Sequence, residues 1–559
     1  MSTATDTRRA SRVAGATTPT PGPPGARRGT TLTGVGRLIR FVLRRDRIRL
    51  TVWLVGLGAF IVISAASLPP VYPDQAAIDT YVRLFGDNPA LIAFAGPGYG
   101  FDEPNIGVIL VNETQLWGCI GVALMSIFLL NRHTRAEEDD ERTDLLRSNV
   151  VGRHAPSAAA VAVVSAANVV VAAVCAVGFV ALGYPVAGSI ALAGSFLVVG
   201  LVFVGVTAVA AQVASTGRAT LALASAVLVI TFLLRAMGDI GDNPLRWLSP
   251  IGWAQSVRAF AGERWWTLVF SGVVAVGLVT LAFWLSTLRD PGSGLLPTRP
   301  GPDRASAALL GPLGLAVRLH RGAVIGWAVG LVTIGIVYGS IGNDIEEMVE
   351  ENPVYADFLA QAQGTSLTDA FFATSLMLLA VMASGFAISA VLRLRSEEDA
   401  GRAEPLLAGP LPRWRWAFDH LAVAVVGSAL VVAAGGLGIG GAYAVVSSDS
   451  SQVLRMVGAS LVTLPAVFVL ASIAMALFGL VPRFALAAWG ALAVVVLVGV
   501  FADLLRLPEW SRQISPFQHL PATPAEPFAL GPVVAVTAVA AALTAAGLWG
   551  LRRRDLNVS

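Results

Sequence analysis

Two short charged segments carry the residues best suited to chemistry or to binding a partner. Residues 135–147 begin with RAEEDDERTDLL and residues 395–407 begin with RSEEDAGRAEPL, so the pattern R-x-E-E-D-x-x-R occurs twice. A short helix that offers both charged and apolar groups is what a docking site for a soluble protein needs. We name these segments the first and the second acidic loop and predict that both dock a partner. The predicted docking residues are Arg135, Glu137, Glu138, Asp139, Arg142, Leu145, Arg395, Glu397, Glu398, Asp399, Arg402 and Glu404.

The spacing within the first acidic loop supports a helix. Glu138, Arg142 and Leu145 fall on one face at helical spacing. Glu138 and Arg142 are also four residues apart, which suits an ion pair. Two copies of such a loop indicate a partner that binds twice with twofold symmetry. The alternative interpretation is that each loop is only a solvated charged surface.

A second set of polar residues lies within long apolar runs. A charge at the middle of a bilayer costs about 2.5–3.5 kcal/mol on insertion scales, so a polar residue there marks a candidate functional position. Glu113 is the strongest candidate for lining a pathway through the membrane. The full set of pathway candidates is Asn112, Glu113, Gln115, Asn168 and Asp369.

The composition shows which kind of protein must position these residues. Of 559 residues, 55% are hydrophobic and only 13% are charged, and the mean hydropathy is +0.70. A soluble protein has about a quarter charged residues, so the composition indicates a membrane protein. The chain contains no lysine, which excludes a Walker A ATP site and a Schiff-base enzyme, since both need that residue. We expect no catalytic residue, cofactor or metal in this chain.

Twelve apolar runs have the length of about 20 residues that a helix needs to cross a bilayer. If both termini are cytoplasmic, 31 of the 39 arginines fall on the cytoplasmic side. Arginine concentrates on that side of membrane proteins, so the count and the orientation agree. We predict an all-α polytopic fold. Its predicted spans are 50–68, 107–130, 157–182, 187–212, 219–239, 266–287, 323–342, 368–392, 417–445, 453–480, 484–504 and 529–550.

The spans are predicted to form two six-helix repeats in one chain. Each acidic loop follows the second span of its half, and LSPIGW (248–253) matches ISPFQH (514–519) before the last span of each half. An even number of spans gives both halves the same orientation about an axis along the membrane normal. The predicted parts are a disordered cytoplasmic tail (1–33), the first half (34–288), a cytoplasmic linker (289–312), the second half (313–551) and a cytoplasmic tail (552–559).

A basic segment at residues 37–48 precedes the first span. We predict a helix that lies at the membrane surface and is attracted by anionic lipid headgroups. The alternative is the ordinary enrichment of arginine on the cytoplasmic side. The arginine stripe of this interfacial helix consists of Arg37, Arg40, Arg44 and Arg47.

The order of these elements resembles the membrane-spanning permease subunit of type-2 ABC exporters. The shared features are the interfacial helix, the acidic loop after the second span, and a Ser-Pro segment before the sixth. SPIGW and the segment RAFAGERWW, which runs from Arg258 to Trp266, are similar to the polyketide-antibiotic, or tetronasin-type, exporters of actinobacteria. The resemblance covers residues 34–551.

This resemblance implies a role for each part. Both acidic loops would be coupling elements that dock onto two copies of a separate ATP-binding subunit, which would hold ATP and magnesium. The chain itself would be a transport subunit of the plasma membrane and not an enzyme. It would export a hydrophobic or amphipathic compound, such as an antibiotic, a drug or a lipid-like molecule. Pro405 departs from the pattern and predicts an interrupted second coupling element.

Two other classes of membrane protein fit twelve spans. A secondary transporter driven by a proton or sodium gradient also suits two six-span halves. A sensor or assembly factor that transports nothing is a third alternative.

Overall fold

The structure is a computed structural model that describes residues 31–86, 92–93, 95–139, 151–290, 292–296, 303–342, 345, 366–500 and 508–554. Within these ranges, twelve helices are long and apolar enough to cross a membrane. The predicted helical membrane fold and the predicted number of spans are confirmed. Spans 1–12 comprise Arg47–Val71, Ile106–His133, Ala155–Ala181, Val186–Val213, Gly217–Ile240, Trp266–Thr287, Pro312–Ser340, Leu367–Asp399, Arg413–Val446, Ser451–Val462 with Leu464–Leu480, Pro482–Ala487 with Ala488–Val500, and Leu530–Arg553.

Shorter helical elements connect these spans. Among them, Pro250–Gln255 follows the Ser249 cap and is buried along its whole length between spans 5 and 6. Pro244–Leu248, Ala307–Leu310 and Pro516–His519 are 3₁₀ turns. The other short α-helices of the described residues are Val35–Arg45, Gln75–Gly86, Arg135–Asp139, Ala403–Leu407 and Glu509–Arg512.

Side-chain caps fix the beginning of several spans. The Asn105 side chain accepts hydrogen bonds from two backbone amides of span 2, and Thr216 and Ser366 each accept one at the start of spans 5 and 8. Each cap satisfies an amide that has no partner within the helix. The local sequence thus determines where these three spans begin.

The interfacial helix is shorter than predicted. It comprises Val35–Arg45 and ends at Asp46, whose backbone leaves the helical region at φ −105° and ψ 18°. Arg47 is therefore not part of it, because it is the first residue of span 1. Arg37, Arg40 and Arg44 remain on the helix and are exposed. In the second half, span 7 is a single helix, Pro312–Ser340, with no such break before the residues predicted to cross the membrane.

The buried apolar side chains form two large clusters. One contains residues between Val42 and Ala282, and the other contains residues between Leu331 and Leu551. Spans 2, 4 and 8 are the most buried of the described helices, so the span that precedes each acidic loop lies among the most buried. Cys119 is buried in the first cluster, as is Cys175, and both thiols are free.

Glycines allow the closest helix contact of the second half. Spans 7 and 9 meet where Gly335 and Gly339, four residues apart, lie against the backbone of Gly435 and Ile439. A Cβ atom at Gly339 would overlap the carbonyl oxygen of Ile439. Small residues at such contacts are typical of helices in lipid, because the hydrophobic effect does not drive helices together there and close packing must do so.

Some predicted features lie outside the described residues. These are most of the N-terminal tail (1–30), part of the linker and the end of the C-terminal tail, together with Arg142 and Leu145 of the first acidic loop.

Candidate functional site: the acidic loops and their ion pairs

The described part of the first acidic loop is a short helix, Arg135–Asp139, directly after span 2. Its first side chain is fully buried: Arg135 donates hydrogen bonds to the carbonyl oxygens of Ser215 (2.6 Å) and Ser293 (2.9 Å). Ser215 precedes span 5 and Ser293 follows span 6. Arg135 therefore holds the loop to the ends of two other spans.

Glu138 continues this connection. Both its carboxylate oxygens accept hydrogen bonds from the Arg289 guanidinium, at 2.8 and 3.0 Å. Arg289 lies just after span 6 and also donates to Gln212 Oε1 at the end of span 4, at 2.7 Å. Such a two-bond pair fixes both distance and orientation. We call Glu138–Arg289 the first clamp.

Asp139 contacts span 5. Its Oδ2 atom accepts a hydrogen bond from the backbone amide of Gly217, the first residue of that span, at 2.6 Å. A carboxylate at this position is also stabilised by the positive end of the helix dipole. Three of the predicted docking side chains, Arg135, Glu138 and Asp139, thus bind within the protein.

The second acidic loop begins inside a longer helix. Span 8 extends to Asp399, and a turn with Gly401 at φ +67° leads into the short helix Ala403–Leu407. The predicted interruption at Pro405 is wrong, because this proline lies in the first turn of the short helix, where no amide is needed. Glu404 on this helix is exposed.

Glu398 forms an ion pair of the same kind as Glu138. Its two carboxylate oxygens lie 2.8 and 2.5 Å from the Arg554 guanidinium, directly after span 12. The Arg554 guanidinium also lies over the Phe478 ring near the end of span 10, at 4.7 Å. We call Glu398–Arg554 the second clamp.

Arg395 matches Arg135 in its contacts. It donates to the Pro482 carbonyl oxygen at the start of span 11, at 2.9 Å, and contacts Asp399 at 3.3 Å. In both halves, therefore, the loop arginine binds a carbonyl group at the start of the fifth span, and the loop glutamate binds the arginine after the sixth. Sequence reasoning selected the two glutamates but missed Arg289 and Arg554. The available signal was an arginine after the sixth span of each half.

The first glutamate of the repeated motif makes different contacts in the two loops. Glu137 contacts Arg45 of the interfacial helix and lies 3.6 Å from His133 Nδ1. Glu397, at the corresponding position, instead binds Arg402 of its own loop at 2.8 Å. Only the first of the two described loops is thus held by an arginine of the interfacial helix.

Asp46 completes the contact between the interfacial helix and span 2. It accepts hydrogen bonds from Arg132 at 2.9 and 3.3 Å and lies 3.0 Å from His133. Burial alone would raise the pKa of Asp46. The Arg132 hydrogen bonds and the charges of His133, Arg132 and Arg45 outweigh burial and hold that pKa below its ordinary value.

The corresponding place in the second half holds a pair of histidines. His320 Nε2 and His420 Nδ1 lie 3.1 Å apart, and both side chains are buried. A histidine pair connects spans 7 and 9 there, where the first half has a carboxylate and an arginine. The two halves thus share their clamps and differ beside them.

Most of the predicted pathway residues make internal contacts. Asn112 accepts a hydrogen bond from Tyr81 (2.7 Å), and Gln115 donates to Ser195 and to the Ala254 carbonyl oxygen (3.0 Å each). Asn168 donates to Ser126 at 2.9 Å. These contacts connect neighbouring helices and leave little of the three amides accessible.

The two predicted acidic pathway residues differ from each other. Asp369, at the start of span 8, binds Arg455 at 2.6 Å. Glu113 lies on an exposed stripe of span 2, one helical turn before Trp117. Sequence reasoning also missed a buried ion pair at the end of span 5, Arg235–Asp239, whose atoms lie 3.4 Å apart.

Comparison with known proteins gives two matches. A family model described as the C-terminal domain of the multidrug efflux system permease Rv1217c matches residues 309–552. The chain is also 37% identical to the multidrug efflux system permease protein Rv1217c of Mycobacterium tuberculosis (strain ATCC 25618 / H37Rv), over 533 residues that cover 95% of this chain and 96% of that relative. The similarity therefore extends over nearly the whole of both chains.

Proposed function

This chain belongs to the family of multidrug efflux permeases, and on that premise we propose that it is the membrane subunit of an ATP-driven ABC exporter. Two copies of a separate ATP-binding subunit would dock on the acidic loops, at a cytoplasmic face that also holds both termini. The cargo would be a hydrophobic or amphipathic compound that leaves the cell between two six-span repeats. The observation that carries the proposal is the pair of acidic loops, each held against the ends of spans by the same kind of clamp.

The energy source supports this proposal. The chain contains no lysine, so it has no Walker A site of its own. A multidrug efflux permease still needs a source of free energy. A separate ATPase supplies it through a contact with the permease, and short helices at the ends of buried spans are well placed for such a contact.

The contacts of the loops separate structural from docking side chains. Arg135, Glu138 and Glu398 bind inside the protein and support the loops. Asp399 and Glu404 are exposed and are accessible to a partner. We therefore assign recognition of the ATP-binding subunit to the exposed acidic side chains. The clamped side chains instead maintain the shape of the loops.

One observation favours a secondary transporter as the alternative. Glu113 is a carboxylate on an exposed stripe of a predicted span, and titratable groups within spans serve proton-coupled transport. Against it, Asp239 and Asp369 each have an arginine partner. Among the described residues, Glu113 has no ion-pair partner, which makes it the residue to test for this alternative.

The deciding experiment reconstitutes the permease with the ATP-binding subunit encoded beside it. We expect dye efflux from vesicles that requires ATP hydrolysis and persists with an uncoupler present. Asp399→Arg with Glu404→Arg should remove the copy that docks on the second loop and so about halve the amount of ATP-binding subunit that copurifies, whereas Asp303→Arg, an exposed charge of the linker region, should not. Efflux that needs no ATP and stops with an uncoupler would instead establish the alternative.

A further inference from the structure

The ends of the sixth spans are connected to the acidic loops by ion pairs. In the described part of the chain, span 6 packs mainly along span 4, and span 12 mainly along span 10. Neither packs at length along the second span of its own half there. The first clamp joins spans 2 and 6 directly, and the second clamp joins spans 8 and 12 in the same way.

These pairs are sufficiently buried to act as firm links. The side chains of Arg289 and Glu138 are 8% and 13% exposed, and those of Arg554 and Glu398 are 13% and 7% exposed. Solvent screens an ion pair weakly at such burial. Glu138 also pairs with Arg135, at 2.7 Å, so the first clamp lies within a small buried network of charges. Separating a clamp is therefore costly, and its two ends move together.

Each clamp arginine also contacts the fourth span of its half. Arg289 binds Gln212 at the end of span 4, and Arg554 lies over Phe478 near the end of span 10. A displacement of the loop would thus reach the packed pair of fourth and sixth spans as a unit. The same three-way junction in two separate parts of the chain argues against a chance surface contact.

We propose that Arg289 and Arg554 are positioning residues that transmit movement of each acidic loop to the sixth span of its half. The inference rests on the proposed function, in which a partner moves the loops. Without the clamps, a docked ATPase displaces the loop and the second span while the sixth span stays behind. ATP is then hydrolysed with little transport.

The first test needs no partner and uses the full chain in detergent. Hydrogen exchange is measured at the last turn of span 12 in the wild type, in Glu398→Gln and in Asp303→Asn. We expect Glu398→Gln to raise the exchange rate there about tenfold, since a typical coupling between two sites is of that size. Asp303→Asn, a change on an exposed carboxylate of the linker region, should leave the rate unchanged. Equal rates in Glu398→Gln and wild type would overturn the link.

The second test uses the permease with its ATP-binding subunit. Arg289→Gln with Arg554→Gln should lower transport per ATP hydrolysed about tenfold, with ATP turnover retained. A merely structural role would lower turnover and transport together, and that result contradicts the proposal. The charge exchange Glu398→Arg with Arg554→Glu should keep the ratio near that of the wild type, because it rebuilds the second clamp. Glu138 is left in place, since it also pairs with the buried Arg135. Arg246→Gln, which removes an exposed ion pair elsewhere, is the matched control.

The two tests separate the inference from the function. If the wild-type pair of subunits shows no ATP-dependent transport, the proposed function fails, while hydrogen exchange still decides whether the loop controls the end of the sixth span. If transport depends on ATP but the ratio is unchanged in the arginine variants, the function stands and the transmission is wrong. Arg289→Lys with Arg554→Lys keeps the charge and serves if the glutamine variant does not fold.

Discussion

Asp46, between the interfacial helix and span 1, is surrounded by charged side chains. Two arginines and a histidine face it, and Glu137 lies on the other side of that histidine. A carboxylate whose pKa is lowered in the folded protein stabilises the fold above its ordinary pKa. That contribution disappears as the pH falls through the lowered value.

Asp46→Asn should therefore show a pH-dependent loss of stability. At pH 7 we expect the free energy of unfolding to fall by about 2 kcal/mol, the size of a hydrogen bond to a charged group. At a pH below the lowered pKa of Asp46 the wild type is protonated as well, and the difference should shrink towards zero. Thermal unfolding in detergent at both pH values measures this.

Asp242→Asn is the control for this prediction. Asp242 pairs with Arg246 but its side chain is 87% exposed, so its replacement should change stability little at either pH. A loss of stability in Asp46→Asn that persists at low pH would show that packing, and not charge, makes Asp46 important.

Sequence reasoning at this scale identified acidic groups but not their partners. Glu138 and Glu398 stand out because their motif is repeated and charged. Arg289 and Arg554 are single arginines in regions where many arginines are expected, so nothing local marks them. Asn112, Gln115 and Asn168 stand out as polar residues in apolar runs, yet such residues also form hydrogen bonds between helices. A polar residue in an apolar run looks the same in the sequence whether it lines a pathway or joins two helices.

At the scale of helices, close packing of two spans depends on glycines that let their backbones touch. Spans 7 and 9 approach closely because Gly335 and Gly339 leave room for the opposing backbone. On the same helix, a Cβ atom added at Gly330 would meet nothing within 4 Å. The two kinds of glycine on one span therefore provide a matched comparison.

Gly339→Val should separate spans 7 and 9. Overfilling a packed contact costs about 1–3 kcal/mol, and we expect a loss of about 2 kcal/mol of stability, seen as a lower melting temperature in detergent. Gly330→Val should be tolerated within about 0.5 kcal/mol, since that position faces open space. Equal effects of both variants would contradict the close contact.

Sequence predicted the helices well and their ends less well. Twelve long apolar runs mark twelve spans, because a bilayer requires them. The break at Asp46 has no comparable signal, since no proline or glycine stands there. Its position depends on the pairing of Asp46 with Arg132, a residue far away in the chain.

At the scale of the whole molecule, the two large buried clusters divide the chain near its middle. All extensive helix packing among the described residues joins spans of the same cluster. The predicted linker, residues 289–312, lies between the two clusters in the sequence, and the two six-span repeats stay a prediction. The different pairings at Glu137 and Glu397 were not predictable, because the motif is identical at both glutamates.

Cleavage of the chain between the clusters should therefore leave both folded. A protease site inserted between Asp303 and Arg304 should, once cut, lower the melting temperature by less than about 2 °C. A site inserted between Asp449 and Ser450, in the turn that joins the packed spans 9 and 10, should lower it by about 5 °C or more. A large loss from the first cut would indicate that the clusters support each other.

The buried thiols Cys119 and Cys175 have a practical consequence for watching this protein move. Maleimide dyes react with accessible thiols, so the two native cysteines need not be removed before a new one is labelled. The absence of lysine likewise removes the usual targets of amine-reactive dyes. A pair of introduced cysteines, one on an acidic loop and one after the sixth span, would thus report the distance across a clamp by fluorescence transfer in an otherwise unaltered chain.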